Sequence, residues 1–288
     1  MLISTVDVKP PARRFDRPGA TGRRRGRSSD GGKRPMTVIR DFVWYELATP
    51  DKAAAEAFYA AVCGWTLVDS GMPGGSYALA RIGERPIAGL MGPVPGCDMS
   101  ERFGWMGYVG VDDVPATVAR VESLGGRLLF GPMEVPEVGP FAVVADPQGA
   151  VLGLFAPVMA TSPLAPMTPG AFAWHELTTA DPVAAMTFHA EMFGWRADQV
   201  FPMGALGDYR LFAGEAGAIG GMAPAPEGVA PGWLYYVAVD DIDAAIERIG
   251  TAGGRLVLDP MEVPGGAFVV QATDPQGIRF ALVGPRHK

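Results

Sequence analysis

The sequence predicts an α+β fold of four βαβββ modules, arranged as two tandem domains. Three observations carry this. FVWYELATPDKAAAEAFYAAVCGW (Phe42–Trp65) returns as FAWHELTTADPVAAMTFHAEMFGW (Phe172–Trp195) in the second half of the chain. Tyr108–Pro136 returns in the same order as Tyr236–Pro264, and DPQG occurs at Asp146–Gly149 and Asp274–Gly277. Within each repeat, the order of strand and helix signals occurs twice. Self-similarity this long and this ordered marks repeated structural units.

The first module opens at Phe42–Thr49, an alternating run rich in strand formers. Asp51 then caps a helix whose apolar stripe is Ala54, Phe58 and Val62. Cys63-Gly64 ends it, glycine being suited to a helix C-terminus. Strands follow near Trp65–Asp69, Ser76–Ile82 and Pro86–Met91. The second module restarts with a strand at Trp105–Val111. Asp112-Asp113 opens a helix with Val114, Val118 and Val121 on one face, and Gly125-Gly126 stops it. Strands near Arg127–Phe130, Phe141–Ala145 and Val151–Phe155 complete the unit, with DPQG as a type I turn between the last two. The second domain repeats this order. The resulting boundaries are a basic tail at 1–36, domain one at 37–158, a Pro-rich linker at 159–169 and domain two at 170–286.

The chain has 288 residues, 48% apolar and 19% charged, enough hydrophobic material for two cores. No apolar run is long enough for a membrane-spanning helix. Residues 1–36 hold 10 Lys/Arg against 3 Asp/Glu, while the rest of the chain holds 14 against 28. The tail lacks apolar periodicity, so disorder is expected there. No apolar stretch follows its arginines, as a secretory or twin-arginine signal requires. The acidic remainder is a poor partner for nucleic acid or an anionic membrane. Cys63 and Cys97 are too few for a disulfide framework, and a reduced, cytoplasmic protein is the simpler expectation.

The succession of a strand, D-x-x-A-x-x-FY, FGW, VDD-x-x-A, GG and DPQG resembles the vicinal oxygen chelate superfamily, which contains glyoxalase I, bleomycin-resistance proteins and extradiol dioxygenases. The resemblance covers everything after the tail, and the doubled domain looks most like tandem two-domain actinobacterial glyoxalase-like proteins. It implies that paired modules curl their sheets around a cavity. In metal-dependent members, His, Glu or Gln on the first and last strands of each module hold a divalent metal. Carried onto this chain, those positions fall at Trp44, Met106 and Gly153, and at Trp174, Leu234 and Ala281. The last strand of the first module in each domain offers only Ile87–Met91 and Ala218–Met222, without an acid or histidine. These are poor ligands for a hard or borderline divalent metal. The expectation is therefore no cofactor and no metal site, with a divalent metal on relocated ligands as the alternative.

Glu46 and Glu176 hold equivalent places, two positions after Trp44 and Trp174, and strand alternation puts each on its tryptophan's face. A carboxylate beside an indole suits ligand binding, general-base work or a displaced metal ligand; the competing reading is a strand Glu paired to Arg127 or Arg255, or exposed at a domain interface. Tyr108 and Tyr236 lie two positions past Met106 and Leu234, completing an aromatic face or, alternatively, ordinary core. Glu134 and Glu262, in PMEVP between two strands, are candidate ligand contacts at the cavity mouth or surface-turn residues. Trp65 and Trp195 read as packing residues. His175 faces the helices and His189 lies on a helix, so neither is expected in the cavity. The functional expectation is a metal-independent binder of a small apolar or aromatic metabolite. An enzyme using Glu46 or Glu176 as base is the alternative. Internal duplication can replace a dimer partner, so a monomer is expected.

Overall fold

The computed structural model describes residues 40–71, 77–93, 103–159 and 164–287. The tail, Ser76, Cys97 and residues 160–163 of the linker lie outside them. The first module comprises β1 (Phe42–Ala48), α1 (Lys52–Cys63), β2 (Thr66–Asp69), β3 (Tyr77–Ile82) and β4 (Arg85–Met91). The second comprises β5 (Gly104–Gly110), α2 (Val114–Ser123), β6 (Arg127–Val135), β7 (Gly139–Ala145) and β8 (Val151–Phe155). The third holds β9 (Phe172–Thr179), α3 (Pro182–Phe193), β10 (Arg196–Pro202), β11 (Asp208–Ala213) and β12 (Ala218–Pro224). The fourth holds β13 (Gly232–Ala238), α4 (Ile242–Thr251), β14 (Arg255–Glu262), β15 (Phe268–Thr273) and β16 (Arg279–Gly284). These are the four βαβββ modules expected from the sequence, two to each domain.

Each domain is one eight-stranded mixed sheet, ordered β2-β3-β4-β1-β5-β8-β7-β6 and β10-β11-β12-β9-β13-β16-β15-β14. Within a module the last strand runs parallel to the first, and antiparallel pairing of β1 with β5, or β9 with β13, fuses two modules. Local chemistry sets the element ends. Asp51 accepts the Ala54 N–H, Asp113 that of Ala116, and Asp181 and Asp241 cap α3 and α4. Gly64 and Gly194 close α1 and α3 in the left-handed region at φ 72° and 73°. In both DPQG turns the Asp Oδ1 accepts two backbone N–H groups across the turn. The buried stripe of α2 is Val114, Val118 and Val121, as expected. That of α1 is Ala55, Phe58, Tyr59, Val62 and Cys63, with Ala54 only partly covered. A stripe at i, i+3, i+4, i+7 and i+8 from Ala55 covers a broader face than the expected i, i+4, i+8 row from Ala54.

The helices lie between the domains. One core joins the outer face of β1 and α1 to β13, α4, β15 and β16 of the other domain, with Leu47, Phe58, Tyr59 and Ile242 fully buried. The second joins α2, β7 and β8 to β9, α3 and β11. A Leu, Ile or Phe buried in this way contributes about 1.5–3 kcal/mol. Paired anchors lock the halves: Trp65 Nε1 donates to Gly170 O at 2.7 Å, and Trp195 Nε1 donates to Arg40 O at 2.9 Å. Each tryptophan thus holds the segment entering the other domain's first strand. This arrangement leaves one face of each sheet turned away from the helices.

Candidate functional site

That inner face of the first sheet carries Trp44, Glu46, Met106 and Tyr108. Glu46 is in register with Met106 and with Gly89, and Trp44 with Tyr108. The Glu46 carboxylate is partly buried. It accepts a hydrogen bond from Tyr77 Oη on Oε2 at 3.0 Å and from Tyr108 Oη on Oε1 at 3.2 Å. Trp44 Nε1 donates to Tyr77 Oη at 3.3 Å. Neither Arg127 nor Arg255 is the partner of these glutamates; the phenols are.

The second sheet builds the same cluster. Tyr209 and Tyr236 both donate to Glu176 Oε2 at 3.2 Å, and Trp174 Nε1 donates to Tyr209 Oη at 2.9 Å. No described residue donates a hydrogen bond to Glu176 Oε1. Leu234 lies in register with Glu176, as Met106 does with Glu46. One extension has no counterpart in the first domain. Gln271 Nε2 donates to Tyr236 Oη at 3.0 Å, and Arg279 donates to Gln271 Oε1 at 2.8 Å. The corresponding positions in β7 and β8 are Val143 and Val151.

Burial pushes both glutamates above the usual carboxylate range, and the tyrosine hydroxyls oppose the rise. The Arg279 charge opposes it further at Glu176. The four tyrosines rise well above their ordinary value, through burial first and the adjacent carboxylate second, so they remain hydrogen-bond donors.

Strand alternation along β1 and β5 does not single out Tyr77 and Tyr209, which reach the cluster from β3 and β11. The signal that marks them is a shared Y-x-L, at Tyr77 in the first domain and Tyr209 in the second. Glycines make room for the rings. A Cβ on Gly89 would sit 1.8 Å from Tyr77 Oη, on Gly153 2.1 Å from Tyr108 Cδ1, and on Gly221 2.3 Å from Tyr209 Cζ. Glu134 and Glu262 are placed differently from the expectation. PMEVP is not a connection, because β6 extends through Val135 and β14 through Glu262. Both glutamates are exposed on edge strands. Met133 pairs with Phe141 and Met261 with Val269 on the inner face, which turns the next residue, Glu134 or Glu262, to the opposite face. The bulges that lengthen these strands are not visible in a propensity pattern.

The metal-ligand positions implied by the resemblance do not fit a metal. Trp44, Met106 and Gly153 supply no good donor for a hard or borderline divalent cation, nor do Trp174, Leu234 and Ala281. The Tyr108 ring lies over Gly153, where a ligating side chain would stand. Among the described residues, no three His, Cys, Asp or Glu side chains come together. His175 and His189 are buried on the helix side, and Cys63 is a buried free thiol whose titration burial pushes up. A cleft of about 410 Å³ lies beyond the cluster, between the domains, and takes in Leu234 and Arg279 from the inner face with Trp105 and Trp233 from the interface. No helix among the described residues is long and apolar enough to cross a membrane.

Comparison with known proteins agrees with this architecture. Residues 44–155 match a glyoxalase-like domain, and residues 171–282 match the Glyoxalase/Bleomycin resistance protein/Dioxygenase superfamily. The chain is 32% identical over 246 residues to "Putative glyoxylase CFP32" of Mycobacterium tuberculosis, covering 84% of this chain and 94% of that protein. It is 28% identical over 258 residues to the anthracycline biosynthesis protein DnrV of Streptomyces peucetius, covering 83% and 91%. Among solved structures, the Mn(II)-bound glyoxalase from Novosphingobium aromaticivorans aligns with a TM-score of 0.61 at 16% identity, over 87% of this chain and 83% of that one. The 2,3-dioxygenase LapB from Pseudomonas sp. KL28 aligns with a TM-score of 0.61 at 13% identity, over 88% and 94%. The chain therefore belongs to the glyoxalase/bleomycin resistance protein/dioxygenase superfamily, as a tandem two-domain member.

Proposed function

We propose that this protein binds a small, planar, hydroxyl-bearing aromatic metabolite on the inner faces of its two sheets, without a metal, as a biosynthetic accessory or sequestering protein. The observation that carries this is the duplicated cluster of one carboxylate, two phenols and one indole. Each carboxylate oxygen has two lone-pair directions, and the phenols leave acceptor capacity for a ligand hydroxyl. Around the first-domain cluster, Trp44, Tyr108, Phe141 and Phe130 supply aromatic surface, with Tyr108–Phe141 and Phe130–Phe141 centroids at 6.2 and 6.0 Å. Flat aromatic ligands stack on such surface. The relative named for anthracycline biosynthesis supports an aromatic ligand. A cytoplasmic monomer remains part of the proposal.

A second reading rests on Glu176 Oε1, which receives no hydrogen bond from a described residue. A carboxylate oxygen left open in a mostly enclosed site, with titration shifted upward, is suited to general-base work on a bound ligand. Calorimetry with a series of hydroxylated anthraquinones, on wild type and on Glu46→Gln and Glu176→Gln, tests both. Binding weakened about tenfold or more by either variant, with no turnover, supports the binder. Turnover lost only in Glu176→Gln and unaffected by chelator supports the base. Near-stoichiometric Mn, Fe, Ni or Zn that disappears in the Gln variants overturns both.

A further inference from the structure

The duplication supplies an internal comparison on the helix side, away from the ligand face. Tyr59 of α1 and His189 of α3 occupy equivalent places, and both are fully buried. The Tyr59 hydroxyl is a junction. It accepts from Trp105 Nε1 at 2.9 Å and donates to Asp274 Oδ2 at 3.2 Å, in the DPQG turn of the other domain. The equivalent set around His189 is Trp233 and Asp146. Asp146 Oδ1 is held by the Gln148 and Ala150 N–H groups, as Asp274 Oδ1 is held by those of Gln276 and Ile278. His189 and Trp233 meet edge to face, with centroids 5.6 Å apart.

An imidazole is shorter than a phenol, and the junction is not closed. Among the described residues, Asp146 Oδ2, His189 Nε2 and Trp233 Nε1 are each buried without a protein hydrogen-bond partner. They are three of only six such side-chain atoms, and they are the counterparts of the groups that meet at Tyr59 Oη. Buried polar groups are rarely left unpaired, so three at one equivalent point call for an occupant.

We propose that one buried water molecule is bound there, at the place corresponding to the Tyr59 hydroxyl. His189 Nδ1 lies 2.8 Å from Ala185 O and donates to it, which makes Nε2 of the neutral ring an acceptor. The three partners are then one donor and two acceptors. Water accepts from Trp233 Nε1–H and donates to Asp146 Oδ2 and to His189 Nε2, the number of bonds usual for a buried water. A metal ion does not suit the place, because the indole N–H points in as a donor and cannot ligate. A direct His189–Asp146 pair would require a second proton on a ring whose burial opposes it, and would strand the Trp233 N–H. The water thus ties the first domain's DPQG turn to α3 and β13 of the second, as Tyr59 ties the reverse pair.

A high-resolution crystal structure of the full chain tests this. The expected result is one solvent peak about 2.7–3.2 Å from all three atoms. In His189→Tyr, the new hydroxyl replaces the peak and the urea midpoint rises; in His189→Phe, the midpoint falls. A direct His189–Asp146 bond with no peak, an anomalously scattering ion, or a His189→Tyr ring that leaves the solvent peak in place would overturn it. Should the variants fail to fold, the wild-type density alone decides.

Discussion

Tyr45 and His175 occupy the same position in the two repeats and hydrogen-bond to each other across the domain interface, Oη to Nε2 at 2.6 Å. His175 Nδ1 lies 2.6 Å from Ile219 O and donates to it, so in the neutral ring Nε2 accepts from Tyr45 Oη. Phe42 stacks on it at 4.1 Å. Burial lowers the His175 titration from 6.5 to about 4. Above pH 6.5 the ring is neutral in both folded and unfolded chains, and its contribution to stability is fully present. Between pH 6.5 and 4 the unfolded chain takes up the proton and the folded one does not, so stability falls as pH falls. The loss is about 3 kcal/mol at roughly 1.4 kcal/mol per pH unit. Glu46, Glu176, Asp41 and Asp274, whose titrations are raised, act in the opposite sense. The effect is therefore read as a difference. Urea denaturation of His175→Gln should show a shallower loss from pH 6.5 to 4 than wild type, and parallel curves would disprove the assignment.

Removing the other partner tests the same contact at constant pH. Tyr45→Phe leaves a buried imidazole nitrogen without its donor, at a cost of about 1–3 kcal/mol. The cost should hold steady down to about pH 4, since the folded ring stays neutral above that value. A midpoint shift within error of zero at pH 7.5 would mean that the 2.6 Å bond contributes nothing net.

The glutamates should trade stability against binding. A carboxyl group whose titration is raised in the fold binds its proton more tightly there than when unfolded. That contribution is present below the ordinary carboxylate value and lost as pH rises through the raised one. At pH 7.5 the ionised Glu46 and Glu176 are thus a cost to the fold. Glu46→Gln and Glu176→Gln should match or exceed wild-type thermal stability while weakening ligand binding, the pattern of residues kept for function. A variant that binds as wild type would remove that glutamate from the site.

The caps, turns and helix stripes are legible in the sequence because each is set by residues a few positions apart. The duplication makes the fold legible over longer distances, since it repeats Trp44, Glu46, Met106 and Tyr108 as Trp174, Glu176, Leu234 and Tyr236. The site is half legible. Tyr77 and Tyr209 reach the glutamates from β3 and β11, two strands away in the sheet, and the register between the repeats slips between Glu46 and Tyr77. Strand alternation says which residues share a face of one strand, not which strand lies beside it. Glu134 and Glu262 escape the pattern for a related reason. Bulges between Leu128, Phe130 and Met133, and between Leu256, Leu258 and Met261, reset the alternation and turn the glutamates away.

The two clusters should titrate independently of each other's surroundings. Arg279 reaches Glu176 through Gln271 and Tyr236, whereas the first domain has Val151 and Val143 in those places. Arg279→Gln removes a charge that favours ionised Glu176, so the Glu176 titration should move up and that of Glu46 should stay. Carboxyl ¹³C shifts of the two glutamates followed against pH would show it. Movement of both, or of neither, would mean that the Arg279 charge does not act selectively on Glu176.

The glycines beneath the tyrosines hold the clusters together by being small. A methyl group at Gly153 would overlap the Tyr108 ring, and one at Gly89 or Gly221 would overlap Tyr77 or Tyr209. At Gly153 the contacts are with ring atoms, and at Gly89 and Gly221 they include the phenol hydroxyl, so the ring must tilt away and withdraw its hydroxyl from the glutamate. Gly153→Ala, Gly89→Ala and Gly221→Ala should each cost about 1–3 kcal/mol by overpacking. Each should also weaken ligand binding in its own domain only. Tyr108→Phe separates the two effects, because it removes the same hydrogen bond from Glu46 without moving the ring. If Gly153→Ala loses no more affinity than Tyr108→Phe, the hydroxyl is what the ligand site uses. If it loses several-fold more, the ring's position is itself part of the binding surface.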